Sequence, residues 1–237
     1  MIDATISFYG SWIAVNEQPV LQNQDPVLNQ LTRLLAVQLR QTEDILLRNM
    51  LQASAAVINC SNGVNGDVPT ELTTPDIETV IQVLAAADAE TLMNNIEAEN
   101  RFGTGPIRWS YIAMMHSNLI PSLQAVQGFL HASQYPSTQS VLQSEWGNVQ
   151  NIRFLQSSIG AVALNSSALG ADVYSIFIAA NESYANVKQN RYTSSFVYRP
   201  PIFSDALAQN ASVGWKTANA QVITNDTWVL NLRCTLP

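Results

Sequence analysis

Apolar and polar positions change rhythm along this chain. From Thr5 to Val15 (Thr-Ile-Ser-Phe-Tyr-Gly-Ser-Trp-Ile-Ala-Val) aromatic and β-branched residues alternate with small polar ones. A period of two predicts a strand, and Gly10 within it predicts a bulge. Residues 18–24 are polar, contain Pro19 and read as a connection. Asp25 then suits a helix cap and Pro26 the first helical position. Leu28, Leu31, Leu35, Leu39, Thr42, Leu46 and Met50 recur at steps of three and four, one stripe of a helix running to about Ala56. At 1.5 Å per residue it would span roughly 45 Å. Arg40, Asp44 and Arg48 lie four apart on the other side, spaced to pair. Such a beam reads as a long core helix of an α+β domain or as a spine crossing an extended subunit.

The rest of the chain moves from helix to strand. Residues 61–74 carry two Asn/Gly turns and read as loop. Thr74-Pro75-Asp76 opens a second helix with Ile77, Val80, Ile81 and Leu84 on one face, to about Asp88. A short helix is expected over Ala89–Ala98 and a turn over Phe102–Pro106. Tyr111–Met115 reads as a buried strand, His116-Ser117-Asn118 as a cap, Leu119–Phe129 as helix and Ser133–Ser140 as loop. Strands are expected at Ile152–Gln156, Val173–Ala179, Phe196–Tyr198, Val213–Ala218 and Trp228–Cys234, with a turn at Asn225-Asp226 before the last. Pro200-Pro201 must interrupt any strand there. Helices early and strands late argue α+β over a doubly wound sheet.

Composition narrows the class. The 237 residues are 47% hydrophobic, enough for a core without metal or disulfide staples. Only 12% are charged, while 21 are Asn and 18 Gln. That surface is polar but lightly charged, so it packs against neighbours at little desolvation cost. The net charge is −7, with Lys188 and Lys216 the only lysines beside nine arginines. No basic footprint for phosphates is visible, which disfavours nucleic-acid binding. Cys60 and Cys234 are too far apart for a zinc ribbon or a CxxC redox site. Two reduced thiols are the favoured reading, with a single disulfide as the alternative. The start lacks the basic and apolar regions of a signal peptide. Trp109–Ser144 has no Asp, Glu, Lys or Arg, yet it is studded with Ser, Gln, Asn, His and Pro and does not read as a membrane span. A protein without membrane contact, made in a reducing cytoplasm, is expected.

Candidate chemistry is sparse. His116, between strand and helix, stands where a base could stand, but no nucleophile or carboxylate is identifiable beside it. Capping or packing is the better reading, and His131 carries no stronger signal. Gly103-Thr104-Gly105 lacks the third glycine of a dinucleotide loop and reads as a turn. Glu43/Asp44 and Glu97/Glu99 are carboxylate pairs, the first explained by surface ion pairs with Arg40 and Arg48. The five Asn-x-Ser/Thr sites (Asn59, Asn165, Asn181, Asn210, Asn225) are expected by chance in so amide- and hydroxyl-rich a chain. Tyr9, Trp12, Trp109, Trp146, Trp215 and Trp228 read as core or inter-subunit anchors, because no basic residues interleave them for base stacking.

Several segments, in order, resemble the major capsid proteins of tailed phages, above all the podovirus branch typified by the coat protein of coliphage N-four. The strand Ala4–Trp12 looks like the returning strand of that family's extended loop. Asp25-Pro26-Val27-Leu28, with the helix ending Ile45-Leu46-Leu47-Arg48, is similar to its spine helix. Thr74-Pro75-Asp76-Ile77 resembles the helix that enters its axial domain. Tyr111–His116 stands where the family has an apolar strand ending in His-Pro, with Ser117 replacing the proline. Glu145–Phe154 resembles its Gly-x-x-x-Gly-Val-Arg-Phe region and Val213–Thr217 its closing segment.

The resemblance implies an α+β, Hong Kong 97-type capsid fold. Residues 1–24 would return from the extended loop, 25–64 and 190–237 would form the peripheral domain, and 65–189 the axial domain. The N-terminal arm and outgoing loop strand would be missing or shortened, since Met1 falls close to the returning strand. It implies a viral coat protein of a phage virion, made in the bacterial host cytoplasm. Copies would self-assemble into pentamers and hexamers of an icosahedral shell, meeting scaffold, portal or decoration proteins. It implies no catalytic, cofactor-binding or metal-ligating residue and no cofactor. An acidic wall would repel packed DNA. Two other readings stand beside it: an encapsulin-like nanocompartment shell of the same fold, and a soluble enzyme built around His116.

Overall fold

The computed structural model describes residues 2–16, 27–92, 110–135, 141–167, 170–188, 194–200 and 209–237. In chain order the helices are α1 (Val27–Ser54), α2 (Thr74–Ala86) and α3 (Ile120–Ala125). The strands are β1 (Ser7–Asn16), β2 (Ala56–Asn59), β3 (Tyr111–His116), β4 (Phe129–His131), β5 (Glu145–Val149) and β6 (Ile152–Ser157). They continue as β7 (Val162–Ala163), β8 (Val173–Ala179), β9 (Tyr184–Lys188), β10 (Ser195–Arg199), β11 (Asn210–Ile223) and β12 (Val229–Thr235). The contacts fall into two units, Met1–Leu47 with Ala185–Val222, and Arg48–Tyr184 with Ile223–Pro237.

The first unit is a helix on a sheet. In the sheet β1, β11 and β10 lie side by side, all antiparallel, and β9 also pairs with β11. The register of β1 on β11 runs unbroken from Ser7 opposite Asn219 to Asn16 opposite Asn210. The bulge expected at Gly10 is therefore absent. The glycine serves close approach instead: a Cβ there would lie 2.9 Å from the Trp215 carbonyl oxygen. On one face Val213 and Trp215 bury Leu35 of α1, with Tyr9, Leu28 and Leu39 packed around them. A polar seam runs beside this cluster. The Trp215 indole donates to Gln38 Oε1 (3.3 Å). Ser194 Oγ donates to Glu43 Oε1 (3.2 Å) and lies 2.9 Å from the Thr217 hydroxyl. The predicted stripe of α1 is the packed one; Asp25 and Pro26, its expected start, lie outside the described residues.

The second unit is a mixed eight-stranded sheet ordered β2-β12-β8-β3-β6-β5-β4, with β7 on β8. The β12–β2 and β3–β6 pairs are parallel and the others antiparallel. α2 lays Ile77, Val80 and Leu84 on a core shared with Leu119, Leu123, Phe154, Ile176, Ile178 and Leu232. Thr73 is the N-cap of α2, and Asp76 in its first turn, 2% exposed, gathers the preceding loop. Its carboxylate accepts Ser61 N–H (3.0 Å), Gly63 N–H (2.7 Å), Thr73 N–H (3.0 Å) and the Thr73 hydroxyl.

Several expectations need correction. α1 ends at Ser54, before the expected Ala56, because the chain turns at once into β2 beside β12. The helix expected over 119–129 is a 3-10 turn at Ser117–Leu119 and then α3, which stops at Ala125. Val126 is extended and Gly128 takes φ +86°, so the chain reverses into β4. Ala89–Leu92 are not helical, and the rest of that expected helix lies outside the described residues, as do the turn at 102–106, Glu97 and Glu99. The 3-10 turn at Ala132–Gln134 occupies the start of the loop expected from Ser133. β11 and β12 flank the expected turn at Asn225-Asp226, yet they belong to different sheets and do not pair. β2, β4, β7 and β9 have no counterpart among the strands the sequence predicts, and β5 falls within the Glu145–Phe154 region of resemblance.

Candidate functional site

The face of the first unit's sheet opposite Leu35 exposes large aromatic side chains. Strand alternation puts Tyr9 on the packed face, so Phe8, Gly10 and Trp12 take the other. Register adds Val197, Gly214, Lys216 and Ala218, since Trp12 and Val197 both stand opposite Gly214 and Phe8 stands opposite Ala218. Phe8 is 70% exposed and Trp12 71%. Gly214 forms a floor no side chain could share: a Cβ there would lie 2.8 Å from Ser11 O and 2.9 Å from Trp12 Cβ. A depression of about 530 Å³ results, walled by Trp12 and Val197 and edged by Arg199 and Lys216. A second, of about 310 Å³, lies between Leu28 of α1 and Phe196 and Tyr198 of β10. Leu34 and Val37 of α1 are also exposed. Large apolar side chains clustered at the surface and rimmed by charge are characteristic of contact surfaces, whether for protein, membrane or ligand.

The residues weighed for chemistry sit elsewhere. His116 Nδ1 accepts the Asn118 N–H (3.1 Å), and its ring tilts against Tyr174 at 5.5 Å between centroids. His131 does the same for Ser133 N–H (3.1 Å) and meets Trp146 edge-on at 4.9 Å. Both rings cap short turns, a role the sequence suggests for His116 and not for His131. Glu43 holds hydroxyls of the polar seam. Burial, then neighbouring Glu43, pushes the Asp44 carboxyl above its ordinary value, against the pull of Arg40. Arg48 departs from the expected ion pair: it donates to Ile159 O (2.9 Å) and to Asn49 Oδ1 (2.9 Å). Among the described residues no three His, Cys, Asp or Glu converge as metal ligands. No helix among them is long and apolar enough to cross a membrane.

The aromatic anchors divide. Trp12 is exposed, Trp215 is buried, Trp228 donates to Ala87 O (3.0 Å), and Trp109 lies outside the described residues. Phe8, Val197 and Tyr198 were not singled out in the sequence. The signal was there for Phe8, which shares the alternation phase of Trp12. For β10 it was not, because five residues do not say which strand they pair.

These elements make up a Hong Kong 97-type capsid fold, and solved structures across nearly the whole chain share it. The capsid of Ralstonia phage GP4 matches with a TM-score of 0.70 at 10% identity, covering 99% of this chain and 74% of that one. The head of Helicobacter pylori bacteriophage KHP40 matches at 0.68 and 9%, covering 99% and 76%. The SrpI encapsulin of Synechococcus elongatus PCC 7942 matches at 0.62 and 11%, covering 96% and 73%. No family model matches the chain, and no curated protein does.

Proposed function

We propose that this chain is a major capsid protein of a tailed phage, a structural subunit without catalytic activity. Copies of it tile pentamers and hexamers of an icosahedral head that encloses the genome. The observation that carries the reading is likeness to phage capsids and heads over 98% or more of the chain. The exposed face of β1, β10 and β11 supports it, with a second copy of the chain as its occupant. A chain of net charge −7 offers acidic surface to the rim cations Arg199 and Lys216. The sequence resemblance to the coat protein of coliphage N-four supports a place in the podovirus branch. On that reading residues 1–24 belong to the extended loop, 25–64 and 190–237 to the peripheral domain, and 65–189 to the axial domain. The protein is made in the bacterial host cytoplasm, ends in the virion, and meets scaffold, portal or decoration proteins there.

Sedimentation velocity and negative-stain microscopy test this on the chain as given and with any upstream coding region restored. Rings or shells from either are the expected result; a stable monomer from both overturns it. The encapsulin match favours one other reading, a nanocompartment shell of the same fold. Shells purified from the native source separate the two: packaged nucleic acid supports the phage head, and a protein cargo supports the compartment.

A further inference from the structure

Cys60 and Cys234, 174 positions apart in sequence, meet in the core of the second unit. The parallel register of β2 on β12 ends with Asn59 opposite Arg233. One step further Cys60 N–H donates to Arg233 O (2.8 Å), the parallel-ladder bond that sets Cys60 opposite Cys234. Ile58 and Leu232, two residues back on each strand, share that core, so alternation turns both thiols the same way. Neighbouring strands lie about 4.8 Å apart, inside the ~4.4–6.8 Å between Cα atoms that a disulfide spans. Both cysteines are reduced, and both have 0% exposure.

We propose that Cys60 and Cys234 are a latent disulfide site, open to a small disulfide oxidant such as glutathione disulfide. Bridging them closes residues 60–234 into one covalent loop and clamps β12 to the strand that follows α1. In the first step one cysteine thiolate attacks the oxidant, breaks its S–S bond and releases one glutathione thiolate. In the second the other cysteine thiolate attacks the protein-side sulfur of the mixed disulfide and releases the second glutathione. The two protein thiols lose two protons and two electrons, and the oxidant becomes two molecules of glutathione. The packed thiols are protected: the Cys234 sulfur beside it, and then burial, push the Cys60 thiol far above its ordinary value. The bond therefore forms during folding, or when β12 opens in oxidising surroundings.

The test refolds the reduced, denatured full chain in a glutathione redox buffer, then alkylates it and maps its tryptic peptides without reduction. Expected is a linked pair: the fragment carrying Cys60 joined to Cys234–Pro237. Folded protein with both thiols alkylated, or with bridges only between chains, overturns the proposal. A second reading compares the thermal midpoint of the oxidised and reduced wild-type chain. A rise of several degrees on oxidation, abolished in Cys234→Ser, is expected; no rise or a fall overturns the clamp. Neither reading depends on whether the chain assembles.

Discussion

Asp76 places a charge under the protein's surface and satisfies it with backbone. Three N–H groups and one hydroxyl converge on its carboxylate, tying the loop after β2 to the first turn of α2. Removing the acceptor leaves partly buried donors unpaired, at ~1–3 kcal/mol each before relaxation. Asp76→Ala is expected to lower stability by about 2–4 kcal/mol, read as a shift in the urea midpoint. Asp76→Asn keeps one acceptor oxygen but turns an NH2 donor toward a backbone N–H, so it is expected to destabilise by a comparable amount. Glu145 is the second such place. It accepts the Tyr135 hydroxyl (2.8 Å) and the Leu142 N–H (2.8 Å), and Arg153 lies 3.4 Å away, 3% exposed. Burial, then Glu145, push the Tyr135 phenol above its ordinary value, against the pull of Arg153. The sign follows. In the folded chain the phenol keeps its proton at a pH where the unfolded chain has lost it. Its contribution is complete below the unfolded value of 10.0 and falls away as pH rises past it. Unfolding midpoints measured between about pH 8 and about pH 11 are expected to drop more steeply for the wild type than for Tyr135→Phe. Tyr111 and Tyr184, also raised by burial, leave a residual slope in the variant. Neither node was marked in the sequence, because the atoms that define it come from loops whose path only the fold sets.

Among the elements, α1 was the easiest to foresee and β2 the hardest. Six apolar positions and Thr42, over 23 residues, set the face of α1, and Leu35 within it is 1% exposed. β2 has four residues, of which Ile58 alone is buried, so its identity rests on pairing with β12. β1 lies between these cases. Its alternation was visible, but Gly10 read as a bulge where it serves close approach to β11. Gly214 does the same from the other side. A methyl group there meets Ser11 O and Trp12 Cβ at under 3.0 Å, and neither is the far end of a flexible side chain. Gly214→Ala is expected to cost ~1–3 kcal/mol through separation of β1 from β11. Thermal melting, with faster proteolysis within Ser7–Asn16, checks it; an unchanged β1 protection would refute the close-approach reading.

For the whole molecule the decisive property is what it leaves uncovered. Trp12 and Phe8 contribute little to the fold of one chain, being 71% and 70% exposed. Trp12→Ser with Phe8→Ser is therefore expected to shift the thermal midpoint by less than about 2 °C. The same pair is expected to weaken self-association by tenfold or more, as loss of an aromatic anchor of ~1.4 kcal/mol would do. Sedimentation velocity of both proteins at matched concentration reads the difference; equal assembly would remove this face from the interface. The sequence by itself determined the mixed helix-and-strand class, the beam helix, the strands Val173–Ala179 and, within a residue at each end, Trp228–Cys234, and the lightly charged, amide-rich composition. These are properties of local period and composition, and each is complete within a few turns of chain. Tertiary structure alone decided that the two long strands at the end of the chain join different sheets, and that Cys60 faces Cys234. It also decided that Trp12 and Val197 share one open face across Gly214. Each of these is a pairing between distant segments, set by the register of one strand on another. Local pattern specifies which residues a strand turns to one side, but the strand it meets is chosen by the packing of the whole.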